Sequence, residues 1–171
     1  DDGIKLLRRK NELWMYFPDA DDVIKISGHL LRQSMMGSSL SYEDMIELES
    51  YTDLYISKII GHGNIGKKKC LILDLTAKKN STYYKQKLWV EKERNVVIKA
   101  ELYAKSGRLL RTFLQEDIRQ VGSKKKPIYM PFKVTITDNR KKSAITKIVY
   151  NDMRPNIKLK KNAFSKKILT E

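Results

Sequence analysis

The sequence predicts a mainly β protein built on a curved antiparallel sheet of about nine strands. Two observations carry this reading. Segments rich in β-branched and aromatic residues recur from Glu12 to Asn151, and residues that tolerate a tight reversal stand between most of them. A third observation narrows the alternatives: helical spacing is confined to two short stretches, too little for a doubly wound α/β fold.

Along the chain, Glu12–Phe17 and 22–27 are predicted strands on either side of the reversal Pro18-Asp19-Ala20-Asp21. Helical spacing follows. Residues 29–36 bring Leu31 and Met35 together and stop at Gly37, and Ser41 with Asp44 makes a capping box ahead of Tyr42, Met45 and Ile46 on one face. Further strands are predicted over 54–60, 70–77, 87–91, 96–105, 109–120, 128–138 and 144–151. Gly63-Asn64-Ile65-Gly66, Ser106-Gly107, Gly122-Ser123 and Asp138-Asn139 supply the reversals. Consecutive strands joined this way form an antiparallel meander. Val134 and Ile136 alternate with Thr135 and Thr137, which marks a strand with one buried face. The nearly unbroken apolar run 70–75 marks a central strand covered on both sides.

A chain of 171 residues is most simply one domain. Its 35 Lys and Arg against 20 Asp and Glu leave a net charge of +15, which favours polyanionic partners such as nucleic acid, an anionic membrane or lipid headgroups. The cations gather at Lys67-Lys68-Lys69, Lys124-Lys125-Lys126, Arg140-Lys141-Lys142 and in the tail at Lys158, Lys160, Lys161, Lys166 and Lys167. Most of these runs fall in predicted turns, where they equally serve to solvate a β protein and keep its edges from pairing. The lone Cys70, beside Leu71, Ile72 and Leu73, excludes an intramolecular disulfide and reads as a buried strand thiol. No apolar run approaches the ~18 residues of a membrane-spanning helix. The chain opens on Asp1-Asp2-Gly3 without an initiator Met or signal peptide, so a soluble, mature or trimmed form is expected.

Gly61-His62-Gly63-Asn64-Ile65-Gly66 has the spacing of a dinucleotide fingerprint and nearly that of a phosphate-binding loop. Both need a helix next, yet Lys67-Lys68-Lys69 leads into a strand, and Lys68 stands where Ser or Thr would hold magnesium; a hairpin turn is predicted instead. His29 and His62 lack partners at ligand spacing, so no metal site is expected. Ser34, Ser38, Ser39 and Ser41 lie near His29 without a nucleophile elbow. Trp14, Tyr16 and Phe17 have rings able to stack bases, but no RNA-recognition signature accompanies them, and nucleic acid is disfavoured as a partner. No catalytic residue is assigned and no cofactor is implied.

The stretch from Arg32 to Met45 places flexible apolar side chains and small hydroxyl residues between strand-like segments, and reads as a greasy lid. Together with Leu13-Trp14-Met15-Tyr16-Phe17-Pro18, Ile26-Ser27-Gly28, Leu88-Trp89-Val90, the hairpin Tyr103-Ala104-Lys105-Ser106-Gly107 and Phe164, it resembles the outer-membrane lipoprotein-sorting family related to the periplasmic carrier LolA. That resemblance implies an unclosed, half-barrel sheet around an apolar cavity, short helices as its lid, no enzymatic activity and a periplasmic location. The implied ligand is the acyl chains of lipoproteins or another lipid. Methionine-rich segments adapt to irregular greasy ligands, and each buried methylene contributes about 0.8 kcal/mol.

On this reading Trp14, Tyr16, Met35, Met36, Leu40, Tyr42, Met45 and Ile46 line the cavity and lid. Carrier proteins also lock the lid with an arginine, for which Arg32 is the candidate. An anionic membrane surface is a second candidate partner. Relatives begin with a helix and several strands ahead of the Trp-x-Tyr-Phe-Pro block, so residues 1–171 are expected to form a single LolA-like domain lacking those elements. The strand Glu12–Phe17 would then have a free edge, and a dimer or an exchanged N-terminal segment is expected. The alternative function is a basic-surface adhesion or interaction protein that binds an acidic envelope or host macromolecule.

Overall fold

A computed structural model describes residues 3–9, 12–46, 51–79, 81–123, 126–140 and 144–170. The chain divides into two compact units, Asp1–Glu49 with Ile157–Glu171, and Ser50–Asn156. Both are antiparallel β structures with few short helices, and neither sheet closes into a barrel. The strands therefore belong to a three-stranded and a seven-stranded sheet, whereas the sequence suggests one sheet of about nine.

The first unit holds β1 (Lys5–Arg9), β2 (Glu12–Phe17) and β3 (Asp22–Ile26) in the order β1-β2-β3. β1 is not among the predicted strands. Its Lys-Leu-Leu-Arg-Arg sequence has neither a β-branched nor an aromatic residue, and the signal that marks the other strands is missing from it. Its presence corrects the expected free edge: β2 pairs with β1 along Lys5↔Tyr16 to Arg9↔Glu12, and with β3 along Leu13↔Ile26 to Phe17↔Asp22. The argument for a dimer or an exchanged N-terminal segment loses its premise.

The pleat of β2 sends Leu13 and Met15, each 1% exposed, to one face with Ile26, where Leu30, Leu31 and Tyr42 pack against them. Trp14 and Tyr16 go to the other. The expected helix over 29–36 does not form. Gly28–Arg32 and Met35–Gly37 are separate 3-10 turns with Gln33 and Ser34 extended between them, and Met36 and Gly37 both have left-handed φ, of 48° and 70°. An α-helix cannot run through two such residues, and the serines and glycine around them favour turn geometry. The capping box is present. The backbone N–H of Ser41 donates to Asp44 Oδ2 at 2.6 Å and its hydroxyl to the same oxygen at 2.9 Å, opening α1 (Tyr42–Ile46).

The second unit begins with α2 (Tyr51–Leu54), one turn that replaces the start of the strand predicted from Leu54. β4 (Tyr55–Ile65), β5 (Lys68–Ala77), β6 (Lys85–Glu91), β7 (Val96–Tyr103), β8 (Leu109–Ser123), β9 (Lys126–Asp138) and β10 (Ala144–Val149) follow as a meander, each paired with its neighbour in sequence. The glycine-rich motif lies here. Gly61 and Gly63 are inside β4, and the reversal is the two-residue Gly66-Lys67 hairpin between Ile65↔Lys68, with Gly66 at φ 57°. Pro127 and Pro131 are tolerated in β9 because β10 pairs only with Lys133 to Asp138, which leaves the proline stretch as a sheet edge.

One face of this sheet is apolar: Leu75, Leu88, Ala100, Leu102 and Leu110 are buried with Tyr55 and Tyr83, whose backbone carbonyl accepts from the Tyr55 hydroxyl at 3.1 Å. Across from Leu102, at Arg111 of β8, begins a buried ion pair. Arg111 and Asp138 are cross-strand partners at 3.8 Å, 1% and 0% exposed, and Arg140 donates to both Asp138 oxygens at 3.0 and 2.8 Å. Burial alone would raise the Asp138 carboxyl. The side-chain and backbone hydrogen bonds from Arg140, with the charges of Arg140 and Arg111, outweigh it and hold the group below the ordinary carboxylate range.

Candidate functional site

The predicted site residues fall into two groups on opposite faces of the small sheet. The first group lies on the segment that leaves the turn Gly28–Arg32 and enters α1. Leu30 and Leu31 of that turn and Tyr42 of α1 pack on the Leu13, Met15 and Ile26 core. The base of the loop between them is closed by an isolated antiparallel bridge between Ser34 and Ser41. Inside that loop the N–H of Met35 donates to the Leu40 carbonyl at 2.8 Å, that of Ser38 to the Met35 carbonyl at 2.9 Å, and that of Leu40 to the Ser38 hydroxyl at 3.2 Å. Leu40 is buried, Met35 half-buried, and Met36 stands at the tip with 43% exposure. Met45 and Ile46 complete the backbone of α1, and their side chains lie outside the described residues. Arg32 is exposed at the end of its turn, and the described residues show no ion pair for it to lock.

The second group is Trp14 and Tyr16. Their surroundings are cationic: Lys166 and Lys25 stand over the Trp14 ring at 3.2 and 5.6 Å, Lys5 stands over Tyr16 at 5.4 Å, and Lys25 also pairs with Glu12. The Lys25 hydrogen bond holds the Glu12 carboxyl below its ordinary range. The Tyr16 hydroxyl donates to Asp21 at 3.0 Å, which raises its own pKa. On this face Leu7 is buried opposite Trp14, and the turn Lys166–Leu169 contributes the buried Leu169.

The structure packs Tyr42 on Leu13 and Met15, holds Met35, Met36 and Leu40 in the neighbouring loop, and places Trp14 and Tyr16 on the opposite face of β2. Leu13 and Met15 are absent from the sequence-predicted set. Period-2 alternation along Leu13-Trp14-Met15-Tyr16 carries the signal that would have found them, since it forbids Trp14 and Met15 from sharing a face.

The second unit supplies open recesses of another character. One of about 300 Å³ is lined by Ile60, Asp74, Lys85, Lys87, Tyr103 and Gly107. Beside it Lys99 pairs with Glu101 at 2.6 Å, and Lys99 and Lys87 stand over Trp89 at 4.6 and 5.1 Å. Burial and the neighbouring Glu101 push the Tyr103 hydroxyl up to about 12. Burial also raises the Cys70 thiol, a free cysteine within β5. Among the described residues no group of three or more His, Cys, Asp and Glu converges to hold a metal ion.

Comparison with known proteins agrees with this architecture. A family model described as "-like: Uncharacterized protein" matches residues 1–171. No curated protein matches the chain. Among solved structures, a DUF1329 family protein from Desulfovibrio piger superposes with a TM-score of 0.84 at 27% identity, covering 95% of this chain and 66% of that one. A domain named for outer membrane lipoprotein sorting, from Vibrio parahaemolyticus, gives 0.81 at 24% identity over 94% and 66% of the two chains. A LolA superfamily protein from Nitrosomonas europaea gives 0.72 at 26% identity over 96% and 71%. The chain therefore spans about two thirds of the length of these structures, and its fold is that of lipoprotein-sorting, carrier-like proteins. It belongs to the family that this model describes, a LolA-like family.

Proposed function

We propose that the chain is a non-enzymatic carrier in the bacterial envelope, on the periplasmic side, that binds the acyl chains of lipoproteins or related lipids. The observation that carries this reading is the methionine loop. Met35, Met36 and Leu40 are presented by a short, internally hydrogen-bonded segment whose two ends pack on the apolar Leu13, Met15 and Ile26 core. An apolar flap attached to an apolar core is what an acyl chain needs, because burying each methylene contributes about 0.8 kcal/mol without any directional bond. Trp14 and Tyr16, on the far face, would shape the sheet from behind. Met45 and Ile46 extend the proposed lid, and Arg32 remains a candidate to lock it. The names of two of the solved structures, the lipoprotein-sorting domain and the LolA superfamily protein, point the same way.

The test is uptake of a fluorescent fatty acid by the detergent-free protein. Met36→Asp places a charge on the flap and should lower uptake at least tenfold with little change in thermal midpoint, because Met36 is already partly in water. Lys147→Glu on β10 should leave uptake unchanged. If the wild type takes up no fatty acid, or if both substitutions act equally, the carrier reading fails.

A further inference from the structure

Two hairpin ends of the seven-stranded sheet meet at a recess of about 580 Å³ lined by Lys67, Lys68, Lys69, Glu91, Lys92 and Glu93. The register places them there. Cys70 pairs with Glu91 across β5 and β6, and the N–H of Lys92 donates to the Lys69 carbonyl at 3.1 Å, so the β4–β5 turn and the β6–β7 turn lie side by side. Of the two acids, Glu91 is buried and fully engaged: Arg94 donates to its two oxygens at 2.7 and 2.8 Å. Among the described residues none of Lys67, Lys68, Lys69 and Lys92 forms an ion pair. Four lysines are thus opposed by Glu93 alone, a concentration of charge that the rest of the fold does not neutralise.

We propose that this hairpin end is a docking surface for anionic phospholipid headgroups at a bilayer. The composition selects that partner. Every cation open to the recess is a lysine, a hydrated point charge on a flexible stem, while Arg94, whose planar fork suits bidentate recognition of phosphate on a defined ligand, is consumed internally by Glu91. Unpaired lysines at turn tips suit the diffuse field of a charged surface, where each one strengthens partition by a factor of about five. The proposal stands independently of the acyl-carrier reading, since it concerns headgroups and a different unit of the chain.

The experiment is vesicle flotation at about 0.1 M salt, where surface charges still act over roughly 10 Å. The full chain should float with vesicles of phosphatidylcholine mixed with phosphatidylglycerol and stay behind with phosphatidylcholine alone. Neutralising the cluster as Lys67→Gln, Lys69→Gln and Lys92→Gln should weaken partition by about 100-fold, three lysines at a factor of about five each. The same change at Lys158, Lys160 and Lys161 in the tail should weaken it less than fivefold, with circular dichroism confirming that both variants fold. Equal losses in the two variants would mean that only total charge matters and would overturn the site. So would displacement by millimolar inorganic phosphate, which marks a soluble-anion site, or tighter retention on polyglutamate than on the vesicles, which marks an acidic protein partner.

Discussion

In the seven-stranded sheet every strand pairs with its neighbour in sequence, β8 and β9 alone share a ladder from Arg111↔Asp138 to Ser123↔Lys126, and the apolar face is assembled from consecutive hairpins. The three-stranded sheet is also a meander, but its ladders span five residue pairs each, and its two faces are covered by segments that are not strands. One cover is the turn Gly28–Arg32 with α1. The other, Lys166–Leu169, comes from the far end of the chain. A three-stranded sheet is near the lower limit of independent stability, so the small unit depends on irregular segments for its cover. Segments of that kind open at low cost, and ligand-responsive elements are drawn from them. The larger sheet is therefore expected to be the more rigid part, and the proposed lid belongs to the unit expected to respond.

The sharpest way to break this contrast is to attack the rigid part at its buried charge. Asp138→Asn removes the buried carboxylate that both Arg111 and Arg140 face and should destabilise the fold by about 3–5 kcal/mol, measured by urea unfolding. Replacing both partners, as Arg111→Met with Asp138→Leu, should recover most of the loss. The pH dependence follows from the depressed Asp138 pKa: its contribution is present above the unfolded value near 3.9 and is lost as pH falls through the lower folded one. The acid transition of Asp138→Asn should lack that step.

Much of the larger sheet is legible in the sequence because its strands carry period-2 alternation between turn residues. Val134 to Thr137 does so in β9. The apolar 70–75 run does form a strand, but β5 lies one place in from the edge strand β4 and not at the centre of the sheet. The smaller unit is less so, for three physical reasons. β1 owes its strand conformation to pairing with β2 rather than to its own residues. The 29–36 periodicity is overridden by left-handed Met36 and Gly37. The cover over Trp14 comes from Lys166, a tertiary contact that no local pattern encodes. Of the site, the Ser41–Asp44 capping box follows from local chemistry, whereas the division between Trp14 and Met15 is visible only once the pleat is imposed.

A second prediction asks whether the contrast extends to separate unfolding. Met15→Ala removes a side chain that is 1% exposed and should cost about 3 kcal/mol, mostly from the cavity left in the small core. The two tryptophans report the units separately, Trp14 from β2 and Trp89 from β6. We expect a single domain, so that Trp14→Phe and Trp89→Phe backgrounds show the same shifted midpoint. Loss of the Trp14 signal at lower urea while the Trp89 signal keeps its wild-type midpoint would establish two independently folding units.

The smallest effect is expected at the lid itself. Ser41 closes the base of the loop through its bridge to Ser34 and starts α1 through Asp44, so Ser41→Ala removes a cap contributing about 1 kcal/mol but leaves the Leu13, Met15 and Ile26 packing untouched. If the loop opens locally, that loss should fall on the opening equilibrium alone. Amide exchange at Met35 and Ser38, whose N–H groups bond within the loop, should quicken about fivefold, the factor that 1 kcal/mol implies, while the β8–β9 amides keep their wild-type rates. Uniform acceleration across both units would mean that the loop opens only with the whole fold, and the proposed lid would then have no motion of its own with which to admit a ligand.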